Sequence, residues 1–558
     1  MRVVIFFVAV FIITMQSALA RGVHDPAFSV PPPGTRYPNQ FLVKRLRGIL
    51  ILPTPERVVK PGTAAQRVEI RGVSVPDKPA FRALEARHLG KPLTVADLMR
   101  LRAGIVAYYR AHGRPFVDVS VPPQDVTNGV LQIVILEAHI GQINVIGNHW
   151  FSAAQYRDAI HLRPGDPIRT KVLQAGLAAI NQNPFRQANA VFSPGAKPGE
   201  TDITIQAKDR LPFQAYAGTD DDGTPLTGTH QVFTGFTWGN VFGTGDIFND
   251  QYTTSTDGRD LRSDYASYVI PLPWLDTIRI FGAYTTTRGA IPPFLAETGD
   301  AWQLSARYDI ALPPLGHYRQ TATLGFDFKH ARNTLLFGTI PVTNTPADID
   351  QFVLGYRGAA PDRFGATSFH LHLYLSPGGM MGDNTDAAFA AVRPYSRAEY
   401  VYANLVVRRR TDLPAGFTLR STATGQIAST NLQPSEEIGL GGYGSVRGYD
   451  FREVNGDNGF ILSNEILLPP LHPLAQAHLS RTEDRLRFLA FMDYGGVSDA
   501  RRIPGDPAMR YLWSIGLGLR YRLGRYLAVR FDYGFDLIRT GLDNNNGSRA
   551  DFSVVASF

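Results

Sequence analysis

The chain has 558 residues, is 44% hydrophobic and only 19% charged, and carries a net charge of +7, where soluble domains average about 25% charged residues. It contains no cysteine, which excludes disulfides, Cys-ligated zinc and a thiol nucleophile. Its arginines alternate with acids and no Lys/Arg block stands out, which argues against a nucleic-acid footprint.

The first residues, MRVVIFFVAVFIITMQSALA, read as a cleavable secretory signal over 1–20. Arg2 precedes an apolar core from Val3 to Ile13, and Ala18-Leu19-Ala20 is the small-residue cleavage site. That core is shorter than the ~20 residues that span a bilayer; a retained anchor is the competing reading. No later apolar run reaches spanning length, so a membrane form of this protein must cross with strands.

Residues 21–62 are punctuated by proline, as in VPPPGTRYPNQ and ILPTPERVVKPG, and read as a linker. Within them NQFLVKRLRGILI is both basic and apolar. It reads either as a short amphipathic helix or as an apolar linker segment.

A unit then occurs twice, over 63–138 and 139–210. ARHLGKPLTVADLMRLRAGI echoes AIHLRPGDPIRTKVLQAGL, and each follows a strand-like run, QRVEIRGVSV or IGQINVIGN. In the first copy Thr94 and Asp97 form a helix-capping signal. Leu98, Leu101, Ile105 and Tyr108 keep helical spacing, and Gly113 suits the end of that helix. The matching helix carries Leu173, Leu177 and Ile180 and stops before Pro184. Extended pairs follow each time, so the order is β-α-α-β-β. A small sheet covered by two helices buries those faces.

From 211 to 558 helical periodicity disappears. Short alternating runs are separated by Gly, Asp, Asn and Pro. In YLAVRFDYGF, Leu527, Val529, Phe531, Tyr533 and Phe535 share one face, while Arg530 and Asp532 share the other. Many such runs, with aromatics near their ends, predict an antiparallel transmembrane β-barrel, apolar to lipid and polar to the lumen. A soluble sandwich of this length is the weaker alternative. Counting alone allows roughly 12 to 18 strands.

Around DRLRFLAFMDYGG, Phe488, Ala490, Met492 and Tyr494 share one parity and Leu489, Phe491 and Asp493 the other. A carboxylate on the lipid face costs several kcal/mol, so the Asp493 parity belongs to the lumen. The chain ends ADFSVVASF, alternating Phe552, Val554, Ala556 and Phe558, which suits a closing strand.

The stretch GLGGYGSVRGYDFREVNG contains G-x-G-x-x-G at Gly439, Gly441 and Gly444. A dinucleotide turn requires a helix to open at its end, and SVRGYDFREVNG has no helical periodicity. There is no Walker A, H-E-x-x-H or G-x-S-x-G pattern, and the 13 histidines lack ligand spacing. No cofactor, metal or catalytic residue is expected.

Four landmarks carry a resemblance. SVRGYD (Ser445 to Asp450) resembles the V-R-G-[YF] motif of two-partner secretion transporters, the TpsB family typified by FhaC and ShlB, within the BamA-like superfamily. FMDYGGV (Phe491 to Val497) is similar to the F-x-D-x-G strand of those barrels. VPPQDVTNGVLQIVILEAHIGQINVIGN (Val121 to Asn148) resembles the junction of the family's two POTRA domains, with Pro122, Pro123 and Gln124 as its P-P-Q. NVFGTGD (Asn240 to Asp246) looks like an early barrel turn.

The resemblance implies two periplasmic POTRA domains and a 16-stranded barrel in the bacterial outer membrane. It implies a pore that secretes a large β-helical TpsA-like partner, held unfolded by the POTRA domains, without nucleotide hydrolysis. Val446, Arg447, Gly448, Tyr449 and Asp450 would sit on a loop folded into the lumen, Tyr449 and Phe451 packing its tip. The Arg447 side chain would meet Asp493 on a wall that also carries Phe491 and Gly495. In a wet lumen that pair is expected to contribute only about 0–1 kcal/mol. Phe552 and Phe558 resemble the C-terminal signal that the barrel-assembly machinery reads for insertion.

Two departures stand out. Glu137-Ala138 replaces a frequent E-G, and residues 21–60 show no convincing counterpart of the family's plug helix. The alternatives are a BamA/TamA-like assembly factor, which usually carries more POTRA domains, and a general porin, which lacks them. A barrel enzyme would need a Ser-His-acid constellation that these strands do not assemble.

Overall fold

The computed structural model describes residues 40–197, 199–224, 227–291, 295–337, 340–477, 482–541 and 547–558. The expected secretory signal at 1–20 and the expected linker up to residue 39 lie outside them. The chain divides into two compact units, one ending at Arg210 and one beginning at Leu211.

The first module of the N-terminal unit holds β1 (Phe41–Val43), β2 (Gly48–Leu52), β3 (Arg67–Ile70), α1 (Lys78–Ala86), β4 (Leu93–Thr94), α2 (Val95–Ala111), β5 (Val117–Ser120) and β6 (Val130–Glu137). The second holds β7 (His139–Ile146), α3 (Ala153–Ala159), α4 (Thr170–Gln182), β8 (Arg186–Pro194) and β9 (Glu200–Asp209). The expected capping box is present: Thr94 Oγ1 accepts from Asp97 N at 3.1 Å, and Asp97 accepts from Thr94 N at 3.0 Å. Ser152 and Gln155 form a second box at the start of α3. Each module buries one helix-covered core, around Phe81, Ile105 and Ile133 in the first and Tyr156, Ile180 and Ile203 in the second.

The linker reading of 21–62 needs correction over its last part. Phe41–Val43 pairs with β4, and Gly48–Leu52 is a fully buried strand inside the first sheet, whose order is β3-β2-β6-β5. The reason is visible in GILIL: it is apolar on both sides without alternation, the pattern of a parallel strand covered on both faces. Ile49 and Ile51 join the helix-covered core, while Leu50 and Leu52 pack with Ala65, Val130 and Val134 on the other face. An amphipathic helix there is excluded.

The second unit is a closed antiparallel barrel. Its strands are β10 (Phe213–Asp220), β11 (Gln231–Val241), β12 (Asp246–Ser255), β13 (Leu261–Pro271), β14 (Thr277–Ile291), β15 (Leu295–Leu315), β16 (Tyr318–Phe337) and β17 (Ile340–Asp362). There follow β18 (Gly365–Pro377), helix α5 (Asp386–Val392), β19 (Glu399–Asp412) and β20 (Thr418–Ala428). A short hairpin, β21 (Ile438–Leu440) with β22 (Val454–Gly456), lies outside the ring. The ring resumes with β23 (Asn458–Leu467), β24 (Asp484–Ser498), β25 (Arg510–Leu523), β26 (Leu527–Asp536) and β27 (Ser548–Ser557). Sixteen strands close where β27 pairs with β10, from Tyr216↔Ser557 to Asp220↔Ser553.

Side-chain parity follows the alternation in the sequence. On β26 Phe531, Tyr533 and Phe535 are exposed outward while Asp532 is buried; on β24 Phe488 and Met492 face out while Leu489, Phe491 and Asp493 are buried. Closure gives every ring strand a neighbour on each side among the described residues, which is the condition for strands to cross lipid.

Candidate functional site

Residues 429–457 connect β20 to β23, fold inward, and are closed at their root by the β21–β22 hairpin. No helix follows Gly444, so the G-x-G-x-x-G spacing serves a turn. Gly441 has φ 110°, and a Cβ there would fall 2.0 Å from the Asp450 carbonyl oxygen. Gly448 has φ 93° and lies against Gly534 of β26, where a Cβ on Gly534 would fall 2.7 Å from the Gly448 Cα. Glycine on both sides lets loop and wall backbones touch.

That approach delivers Arg447 to the wall. Its Nε donates to Asp493 Oδ2 at 2.7 Å and its Nη2 to Asp493 Oδ1 at 2.9 Å, a two-pronged pair. The Arg447 backbone N–H also donates to Asp493 Oδ2, at 3.2 Å. Nη1 donates to Glu465 Oε1 at 2.6 Å and lies 3.7 Å from Asp532 Oδ1. The guanidinium stacks on Phe491, 3.6 Å from the ring centroid. Arg520 completes the cluster, donating to Asp532 Oδ1 at 2.9 Å. Two guanidinium groups thus face three carboxylates.

The expectation of a solvent-exposed pair fails: Arg447 is 2% exposed and Asp493 is 0%. Folded inward, the loop shields its own contact. A buried pair contributes little against an apolar replacement, yet removing one partner costs roughly 3–5 kcal/mol because the other charge stays buried.

The neighbouring motif residues divide. Val446 and Tyr449 are fully buried with Leu440, Val497 and Leu512. The Tyr449 hydroxyl lies 2.8 Å from the carbonyl oxygens of Trp513 and Ile538. Asp450 accepts from Arg549 of β27. Gly495 makes room for Leu440, 2.9 Å from where its Cβ would be. Phe451 is 37% exposed, so it does not pack the tip as expected.

Sequence reasoning missed Glu465, Ser463 and Arg520. Their signal is parity: each shares the lumen face with Asp493 or Asp532 on an adjacent strand. It also missed a second arginine. Arg393, just after α5, donates to Asp457 Oδ1 at 2.5 Å and Asp499 Oδ1 at 2.8 Å, and pairs with Glu437 at 2.9 Å. Asp457 also accepts from Leu432 N and Ala500 N. Three inter-strand loops meet there.

The P-P-Q residues need correction. Pro122, Pro123 and Gln124 lie between β5 and β6, inside the first module, and the module junction is at Ala138. Gln124 donates to the Gln132 carbonyl at 2.7 Å and accepts from Gln132 N at 2.7 Å. Its amide extends the pairing of β6 where β5 has ended. At the C-terminus Phe552 faces Phe531 across β26–β27, and Phe558, 76% exposed, donates its N–H to Ala215 O. No group of His, Asp and Glu among the described residues is placed to hold a metal.

The sequence profile of the family described as haemolysin secretion/activation protein ShlB/FhaC/HecB matches residues 199–521, and that of the ShlB-type POTRA domain matches 64–138. The chain is 23% identical over 467 residues to the outer membrane transporter CdiB of Dickeya dadantii (strain 3937), covering 82% of this chain and 79% of that one. It is 21% identical over 396 residues to the heme/hemopexin transporter protein HuxB of Haemophilus influenzae (strain 86-028NP), covering 68% and 67%. The solved structure of CdiB from Escherichia coli shares the fold, with a TM-score of 0.75 at 18% identity, over 96% of this chain and 93% of that one.

Proposed function

The chain belongs to the ShlB/FhaC/HecB haemolysin secretion/activation family, and from that premise we propose how its parts move a client outward. It is an outer-membrane β-barrel transporter of two-partner secretion that exports a partner exoprotein, with POTRA modules in the periplasm. In our reading the client reaches the POTRA modules unfolded. Strands β3 and β5 in the first sheet and β7 and β8 in the second each have one sheet neighbour among the described residues, and an extended chain can add at such an edge.

The client then enters the barrel, where the re-entrant loop moves aside. The observation that carries this reading is the buried Arg447–Asp493 pair, which fastens a residue of the re-entrant loop to the lumen face of β24. With no nucleotide motif in the chain, folding of the client outside supplies direction. Phe552 on the lipid face and the exposed Phe558 support a C-terminal signal read by the assembly machinery.

The test is Arg447→Ala, scored separately for insertion and export. Insertion and heat-modifiable migration should persist while export falls at least roughly tenfold, because the freed loop no longer holds its position on the wall. A variant that fails to insert would assign the pair to barrel assembly instead.

A further inference from the structure

The root of the re-entrant loop carries a second buried carboxylate, on a different wall from Arg447. Glu436 is 5% exposed. Lys329 Nζ of β16 donates to its Oε1 at 2.7 Å, Gln351 Nε2 of β17 to its Oε2 at 3.0 Å, and the Tyr402 hydroxyl of β19 to Oε2 at 2.6 Å. Ser435 Oγ adds a fourth donor at 2.9 Å. A carboxylate has about four acceptor positions, so this one is filled, by three separate barrel strands and its own neighbour.

The surrounding side chains are themselves fixed. Gln351 also donates to Asp327 Oδ2 at 3.1 Å, and its Oε1 accepts from Tyr400 at 2.8 Å. Asp327 is held by Arg307 at 2.5 Å and by Ser305 at 2.6 Å. This polar array is assembled on the wall around one loop residue.

We propose that Glu436 is a second positioning residue of the loop, so that the loop is a strut anchored at both ends. Counting round the ring, β17 is the eighth strand and β24 the thirteenth. The Glu436 and Arg447 anchors therefore sit on different arcs of the wall. The β21–β22 hairpin closes the root of the loop, and Arg452 ties it beside Glu436, its Nη2 donating to the Pro434 and Glu437 carbonyls at 3.1 and 3.0 Å. A stiff segment fixed at one end only can swing; fixed at both it obstructs the lumen.

The proposal rests on the pore reading above, but its test needs no client. Full-length protein carrying Lys329→Met, Glu436→Gln, both changes, or the exchange Lys329→Glu with Glu436→Lys is inserted in planar bilayers. Ion conductance is read in potassium chloride, with heat-modifiable migration as the check on folding. Each single variant should raise the open fraction by roughly tenfold, the exchange should return it toward the native value, and Arg447→Ala combined with Glu436→Gln should exceed either alone.

Native conductance in well-inserted single variants would overturn the proposal, as would an exchange variant as leaky as the singles. If the singles fail to insert, the double neutral variant decides, because it leaves no unpaired charge; its failure to insert would assign the array to barrel assembly and sink the idea. Loss of the pore reading would appear differently, as native protein that exports no partner while the conductance shifts persist.

Discussion

The two POTRA modules are written in nearly the same sequence pattern and solve the same packing problem differently. In the second, β7 pairs directly with β9, in parallel. In the first, the equivalent strands β3 and β6 never touch, because β2 runs between them, parallel to both. The helices differ in the opposite sense. Gly176 of α4 meets the backbone of residues 159–160 closely, whereas the matching Gly104 of α2 has none of the described residues within 4 Å of its would-be Cβ. One module fills its core by adding a strand, the other by closing its helices. A repeated motif thus fixes the frame, while small local choices decide where the apolar area comes from.

The largest test of this comparison is removal of residues 40–52 from the otherwise complete protein. Ile49, Leu50, Ile51 and Leu52 are each at most 3% exposed, and burying one such side chain stabilises by about 1.5–3 kcal/mol. The first module should therefore lose most of the roughly 5–15 kcal/mol typical of a domain. Hydrogen exchange should show protection vanish over 67–137 and persist over 139–209. If β3 instead closes onto β6 as β7 does onto β9, protection will survive and the two modules are equivalent after all.

A smaller contrast lies on the first helix of each module. Glu85 in α1 is buried and its Oε2 has no hydrogen-bond partner among the described residues, while the matching Asp158 in α3 is exposed. Burial pushes the Glu85 carboxyl up from 4.5 to about 8, so it is protonated in the folded module at neutral pH. The folded state then holds a proton that the unfolded chain has released. Its contribution to stability is complete below about 4.5 and is lost as pH rises to about 8. Denaturant unfolding of a 40–210 fragment should lose up to about 1.4 kcal/mol per pH unit in that window. Glu85→Gln should flatten the slope and stabilise the first module at pH 8; an unchanged slope would show that water reaches the carboxyl.

The architecture was legible where periodicity was long and repeated. Alternation in YLAVRFDYGF and DRLRFLAFMDYGG assigned the lipid and lumen faces of β26 and β24, and Thr94 with Asp97 marked the start of α2. The GILIL strand was not legible as such. Five consecutive apolar residues fit a buried strand or a helix face equally well, and the prolines around them suggest a linker. Arg447 and Asp493 could be paired from motif and parity, but Glu465 and Glu436 could not. Glu465 carries the lumen parity but meets Arg447 only because the loop folds back onto the wall, and only the closed ring brings Lys329 within 2.7 Å of Glu436, 107 positions away. Burial of the Arg447 pair was missed for a related reason: solvent access depends on the loop's own path, which no local pattern encodes.

The finest test uses the matched glycines. In an open helix interior glycine costs about 0.5–1 kcal/mol relative to alanine, because it loses more backbone freedom on folding. Gly104→Ala should therefore stabilise the first module by that amount. Gly176→Ala gains the same entropy but places its Cβ 2.4 Å from Ile160 Cα and 2.6 Å from Ala159 O. Backbone cannot yield as a side-chain tip does, so α3 and α4 must separate, at a cost of about 1–3 kcal/mol. Urea unfolding of the 40–210 fragment should thus shift in opposite directions for the same substitution. Stabilisation by both substitutions would mean that the close helix contact carries no energy, leaving β2 as the difference in how the two cores are filled.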